Sequence, residues 1–210
     1  RLAINLKLED LPKYKIVTNL YDLLDSNKVP FLTNKNTNFV DTLDRNFTGF
    51  VSYDNNYCIL RNLSKKVMPD LRYYNYNIFD NYDNTKRFYT IPTQIDILNP
   101  TLNVVITEGI FDLLGVYFNI ETIKRPNTLF VAVNGVGYNL VFLHLARMGF
   151  LDMNIRIYSD SDQSVQSYKD IKNDMSSILN NRIEIFYNKM PKQKDFGVTP
   201  DKIKISRTLI

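Results

Sequence analysis

Two short stretches carry the residues best suited to chemistry. Thr107-Glu108-Gly109-Ile110-Phe111-Asp112 places an acid just before a glycine, with a second acid four residues on; on a helix that spacing returns to the same side. Ser159-Asp160-Ser161-Asp162 places two acids two residues apart, and in extended chain such residues point the same way. Were Glu108 brought beside the Asp160/Asp162 pair, three carboxylates would crowd together. Like charges so close raise a pKa or recruit a cation, and an all-oxygen donor set suits Mg²⁺ or Mn²⁺. Each acid also has a structural alternative: one at a strand-to-helix turn can cap the helix, and Asp162 could cap a helix starting near Ser164.

Other chemistries fit less well. A calcium-binding EF-hand loop beginning at Asp160 needs Gly and Glu where this chain has Val165 and Ile171. An Asp-x-Asp phosphatase of the haloacid-dehalogenase type carries its acids on the first strand, whereas Asp160 has only 50 residues after it. Gly135-Val136-Gly137 lacks the third glycine of a dinucleotide fingerprint, since Leu140 stands there, and reads as a tight strand-to-helix turn. His144, the only histidine, sits in an apolar helical run and reads as a packed residue; with Cys58 the only cysteine, disulfides and multi-thiolate zinc sites are excluded. Charge is mildly basic, +4 over 210 residues, with two local clusters: Arg61, Lys65, Lys66 and Arg72, and Arg182, Lys189, Lys192 and Lys194. Both permit a phosphate-bearing partner without demanding one.

The elements that must position these residues fall into two rhythms. Residues 1–45 read as helix and loop, with Leu11, Ile16, Leu20, Leu23 and Leu24 near helical spacing before a break at Val29-Pro30. Phe50–Tyr53, Asp54-Asn55-Asn56 and Tyr57–Arg61 read as a hairpin, and Tyr73–Phe79 and Arg87–Ile91 as further strands. After Pro100, strands at 104–106, 129–133, 155–158 and 183–186 alternate with helices at about 109–118, 138–148 and 164–179. That alternation predicts a parallel sheet with helices on its faces, with ligands at the carboxyl ends of its strands. The expected fold is therefore α/β: a small N-terminal antiparallel α+β basic subdomain, residues 1–100, followed by a mostly parallel sheet flanked by helices, residues 101–210. A hydrophobic content of 44% with no apolar run of about 18 residues argues a globular chain without a membrane span. Arg1 in place of Met leads us to expect a fragment or trimmed chain.

In order and strand context, Val104–Asp112, Asn134-Gly135, Asp160-Ser161-Asp162 and Lys194-Asp195 resemble the Toprim domain shared by DnaG-type primases, topoisomerases and certain nucleases. The match spans about residues 102–197. The resemblance implies that Glu108, Asp160 and Asp162 carry a divalent metal, that Gly109, Asp112 and Asp195 support them, with Asp112 counted among the catalytic acids, and that Lys194 neighbours a phosphate. The preceding unit, with Tyr53–Asn62 followed by Arg72–Asn77 and with Arg87–Pro92, is similar to the basic subdomain of phage-type primases. By that likeness Arg61, Lys65, Lys66 and Arg72 would hold template or nucleotide phosphates. Tyr73, Tyr74 and Tyr76 would either stack on single-stranded bases or pack a sheet face.

The resemblance thus implies a primase catalytic core that builds RNA primers on a single-stranded DNA template from ribonucleoside triphosphates with Mg²⁺ or Mn²⁺, in the cytoplasm (the host's, if phage-encoded). A replicative helicase is an expected partner and a membrane is not. The alternatives are a metal-dependent Toprim nuclease and a non-catalytic nucleic-acid-binding protein. A zinc module, common in primases, cannot be built from one cysteine and one histidine, so it is expected to have been removed. A topoisomerase would need a separate tyrosine-bearing domain for which the chain has no room.

Overall fold

The computed structural model describes residue 4 and residues 6–29, 37–79, 84–99, 101–122, 124–178 and 180–210. The chain divides into two compact units, Leu6–Arg87 and Phe88–Ile210. The division therefore falls a dozen residues before the expected boundary at residue 100, because the strand at Tyr89–Ile91 joins the second sheet rather than the first.

In the first unit, a 3₁₀ segment at Leu8–Tyr14 leads into β1 (Ile16–Val17), followed by α1 (Leu20–Ser26), α2 (Thr37–Asn46), β2 (Phe47–Val51), β3 (Tyr57–Asn62) and β4 (Tyr73–Asn77). Ile16 is thus a strand residue, paired antiparallel with Phe50, and not part of a continuous helical face. Pro30 of the expected break lies outside the described residues. The Asn19 side chain caps α1 by accepting from the Asp22 amide at 3.1 Å. The four strands run β1-β2-β3-β4, all antiparallel. In the hairpin turn, Asp54 accepts from the Ser52 hydroxyl at 2.7 Å and the Asn56 amide at 3.1 Å. Leu20, Leu24, Val40, Leu43, Phe47, Cys58, Leu60 and Ile78 form the core.

The second unit contains β5 (Tyr89–Ile91), β6 (Thr101–Thr107), α3 (Ile110–Gly115), β7 (Thr128–Ala132), α4 (Tyr138–Arg147), β8 (Asp152–Ser159), α5 (Val165–Met175), β9 (Asn180–Asn188) and β10 (Ile205–Leu209). The sheet order is β10-β9-β8-β6-β7-β5. Its four inner strands are parallel, and β5 and β10 close the two edges antiparallel. The inner strands read as near-continuous apolar runs because helices cover both faces; Val104, Val105, Ile106, Phe130, Val131, Ile155 and Ile157 are all buried. Past α3 the helix widens into a π-helical turn at Val116–Ile120. The third helix ends at Met175; Leu179, the end expected from sequence, lies outside the described residues. His144 packs with its ring 5.8 Å from that of Phe88, as a core histidine would. The edge strand β10 was not foreseen. Among the described residues, no helix is long and apolar enough to cross a membrane.

Candidate active site at the switch point of the parallel sheet

Along the chain, β6 is followed by β7 on one side of it, and the next strand, β8, returns to the other side. Such a reversal leaves a crevice at the carboxyl ends of the two diverging strands, where ligands of open α/β sheets bind. Glu108 directly follows β6, and Asp160 directly follows β8; Thr107 and Tyr158 form the last pair between the two strands. Glu108 is held there by its backbone, whose carbonyl accepts from the Asn134 amide at 2.9 Å. This contact comes from the Asn134-Gly135 turn, where Asn134 and Gly135 take left-handed φ values of 47° and 80°.

Neither acid is a helix cap. Gly109 occupies the N-cap position of α3, and the cap of α5 is Ser164, whose hydroxyl accepts from the Gln166 amide at 3.1 Å. Asp162 is therefore not used to cap α5, and its side chain stays 58% exposed. Asp160 is 8% exposed at the crevice floor. The Lys194 ammonium reaches both, at 2.9 Å from Asp160 Oδ2 and 3.4 Å from Asp162 Oδ2. Its backbone is docked as well, with the Lys194 carbonyl accepting from the Ser161 amide at 2.7 Å.

The acids sense one another. Partial burial and then the Asp160 charge push Glu108 above the ordinary carboxylate range, with Asp162 adding and Lys194 opposing. The hydrogen bond and charge of Asp160 in turn raise Lys194, keeping it a cation. Among the described residues, no three His, Cys, Asp or Glu side chains come together as a group that could hold a metal ion. Mg²⁺ does not require an all-protein cage: it is held by one or two carboxylates, retained waters and substrate phosphates. Asp160 and Asp162, bridged by the Lys194 ammonium and with Glu108 near, are oxygen donors of the kind such an ion takes.

Asp112 and Asp195 are the two remaining acids expected at the site. Asp112 lies in the first turn of α3, between Gly109 and Gly197. A Cβ on either glycine would come within 2.6 or 2.9 Å of its carboxylate oxygens, so both glycines are needed to seat it. Asp195 accepts from the Gly197 amide at 3.1 Å and shapes the loop that presents Lys194.

Several contributors were not singled out from the sequence. Asn188, 2% exposed at the end of β9, donates to the carbonyls of Asp195 and Lys202 and accepts from the amides of Met190 and Lys204, tying the Lys194 loop to the sheet. Tyr138 and Tyr168 pack edge-on at 5.5 Å, and Tyr168 shares a 2.7 Å hydrogen bond with Ser159. Burial first, then Tyr168, and last the Glu108 and Asp160 charges push the Tyr138 phenol well up. Buried polar residues at strand ends are a usable signal, but Asn and Tyr are too common in this chain for it to stand out.

An open groove of about 840 Å³ adjoins the acids, lined in part by Ser161, Lys189, Lys192 and Lys194. Arg182, grouped with these lysines in sequence, stands seven positions before Lys189, roughly 23 Å of extended chain. It lines a different pocket.

In the first unit, Arg61 on β3 lies over the Tyr73 ring at 4.4 Å. Lys65, Lys66 and Arg72 are exposed in the loop that follows β3. The Asn62 side chain anchors that loop, donating to the carbonyls of Val67, Met68 and Leu71 at 2.9, 3.0 and 3.1 Å. Tyr74 and Tyr76 pack against the core, Tyr74 edge-on to Phe39 at 5.2 Å. A three-tyrosine stacking platform is therefore not formed: strand alternation turns Tyr73 away from the other two. Compared with known protein families, with curated proteins and with solved structures, the chain shows no significant match.

Proposed function

We propose that the chain is the catalytic core of a Toprim-type DNA primase, joining ribonucleotides on a single-stranded DNA template. The observation that carries this reading is the Asp160/Asp162 pair bridged by Lys194 at the carboxyl end of β8, with Glu108 at the end of the adjacent β6 near enough to feel both charges. Glu108, Asp160 and Asp162 would hold Mg²⁺ or Mn²⁺, which supplies charge neutralisation at the reacting phosphorus.

The chain's own groups do the remaining work. Partial burial and the neighbouring Asp160 charge raise the Glu108 carboxyl, and a bound cation would relieve that repulsion. Lys194 releases the aspartates and turns its charge toward an incoming phosphate, a swing its largely exposed side chain allows. Lys189 and Lys192 line the adjoining groove and would steady the triphosphate. On the first unit, Arg61 and the loop bearing Lys65, Lys66 and Arg72 would contact template phosphates, which gives position and salt-dependent affinity rather than sequence choice. Tyr73, under Arg61, attracts that guanidinium through its ring face and so helps orient it.

The test is incubation of labelled single-stranded DNA with ribonucleotides and Mg²⁺ or Mn²⁺, beside Glu108→Gln, on a denaturing gel. Ribonucleotide-dependent products that vanish in the variant are expected. Shortened DNA with no nucleotide requirement would instead make the site a nuclease, since the same acids can activate water.

A further inference from the structure

Far from the acid crevice, the face shared by β8 and β9 carries an unusual concentration of guanidinium. The register pairs Asn154 with Arg182 and Arg156 with Glu184, so these four side chains stand on one face of the sheet. With Arg125 they line a pocket of about 170 Å³. Arg156 is 7% exposed. Its Nη1 pairs with Glu121, which follows the π-helical turn and also accepts from the Tyr158 hydroxyl at 2.7 Å. Its Nη2 is buried without a protein partner. A buried, unpaired guanidinium nitrogen is costly, and its cost is met when an anion or water occupies the space beside it.

The charge balance points to an anion. Glu184 is shared by Arg182 at 3.0 Å and Arg207 at 2.5 Å, and Glu121 is taken by Arg156. Among the described residues, Arg125 has no carboxylate within ion-pair distance. The pocket's three guanidiniums, Arg125, Arg156 and Arg182, against Glu184 and Glu121 leave one positive charge uncompensated. Guanidinium forks match tetrahedral oxyanions in bidentate fashion. At about 30 Å³ per water the pocket holds the equivalent of some six waters, room for a phosphoryl group but not for a nucleoside.

We propose that this pocket binds a phosphate dianion, either free orthophosphate or the terminal phosphate of a phosphomonoester. Arg156 forms its base, and Arg125 and Arg182 form its walls. The site is distinct from the acid crevice, since Arg156 precedes Asp160 by four residues, roughly 13 Å of strand, and it stands whether or not the chain is a primase. Tyr158 links the two regions: its hydroxyl meets the Arg156 partner Glu121, and its ring meets Phe196, two residues past Lys194, at 5.1 Å.

The experiment is titration of the whole chain with orthophosphate by calorimetry, in chelator and at constant ionic strength, for wild type, Arg125→Gln and Arg156→Lys. Arg125 is exposed, so its variant keeps the fold, which circular dichroism verifies. Arg156→Lys retains a cation for Glu121 while losing the fork. Saturable binding of one phosphate per chain is expected, weakened about tenfold in each variant. Equal affinity in all three proteins would place the phosphate elsewhere, for instance among the lysines beside the acids, and overturn the proposal; no saturable binding would do the same. Displacement of phosphate by a 5′-phosphorylated oligonucleotide but not by its 5′-hydroxyl twin identifies a terminal phosphate as a second source. Equal displacement by both would make the ligand a backbone diester and overturn the dianion assignment.

Discussion

Asp160→Asn separates the energetic roles of the acid crevice. Without metal, the substitution removes a 2.9 Å ion pair, but the Lys194 partner is 57% exposed and simply returns to water. Pairs of that kind contribute under about 1 kcal/mol. The loss is partly offset because the Asp160 charge, one of the two main causes of the raised Glu108 pKa, is gone. The variant's melting temperature in chelator should therefore lie within about 2–4 °C of wild type, at roughly 2–4 °C per kcal/mol for a chain of this length. Metal adds a much larger linked term: at a hundred times its Kd, a cation that binds only the folded state stabilises by about 2.7 kcal/mol. Wild type should thus gain roughly 5–10 °C in saturating Mg²⁺ or Mn²⁺, and Asp160→Asn almost nothing. Scanning fluorimetry across a metal titration reads both quantities. A metal increment of equal size and midpoint in the variant would remove Asp160 from the ligand set. No increment in wild type would refute the metal site altogether.

Three further outcomes follow from the geometry. Lys194→Gln removes the ammonium that competes for Asp160 and Asp162, so Mn²⁺ should bind severalfold more tightly, by paramagnetic resonance titration, while ribonucleotide KM rises; weaker Mn²⁺ binding would show Lys194 to be an organiser of the acids rather than their competitor. Burial pushes the Cys58 thiol up to about 12. The neutral thiol is thus favoured by folding, a contribution fully present below the unfolded value near 8.5 and lost only as pH rises toward 12; native protein should resist iodoacetamide at pH 9, and alkylation at the free-thiol rate would contradict the buried placement. Asn188→Ala leaves two carbonyls and two amides of the Lys194 loop without their partner, costing about 2–3 kcal/mol by urea titration, with faster exchange of the Met190 and Lys204 amides; unchanged protection would mean the loop is held by other contacts.

Much of the second unit was legible in the amino-acid sequence because parallel strands buried on both faces must be apolar runs, and the segments around Val104–Ile106, Leu129–Val133, Ile155–Tyr158 and Ile183–Phe186 are such runs. The same periodicity located Glu108 and Asp160 at strand ends, since a strand stops where its apolar run does. The hairpin at 50–61 was readable from Asp54-Asn55-Asn56 for a similarly local reason. What local pattern could not supply was strand order, because pairing joins residues dozens of positions apart. Only the tertiary structure sets β8 against β6 and so makes a crevice of two separate acidic turns. It also assigns Tyr89–Ile91 to the second sheet and adds β10 at its edge.

Side-chain allegiance was decided at the same level. Asp112, four residues after Glu108, has its carboxylate beside Gly109 and Gly197, a placement that its position in the chain does not reveal. Tyr74 and Tyr76, chemically able to stack on bases, go into the core because alternation and the helices above β4 put them there. The sequence by itself determined which residue types stand at the ends of which strands, since that follows from hydrophobic periodicity along a few neighbouring positions. The tertiary structure alone decided which of those ends meet, and whether each charge faces a partner, a turn or an open crevice, because those outcomes depend on contacts between segments that the chain's order does not encode locally.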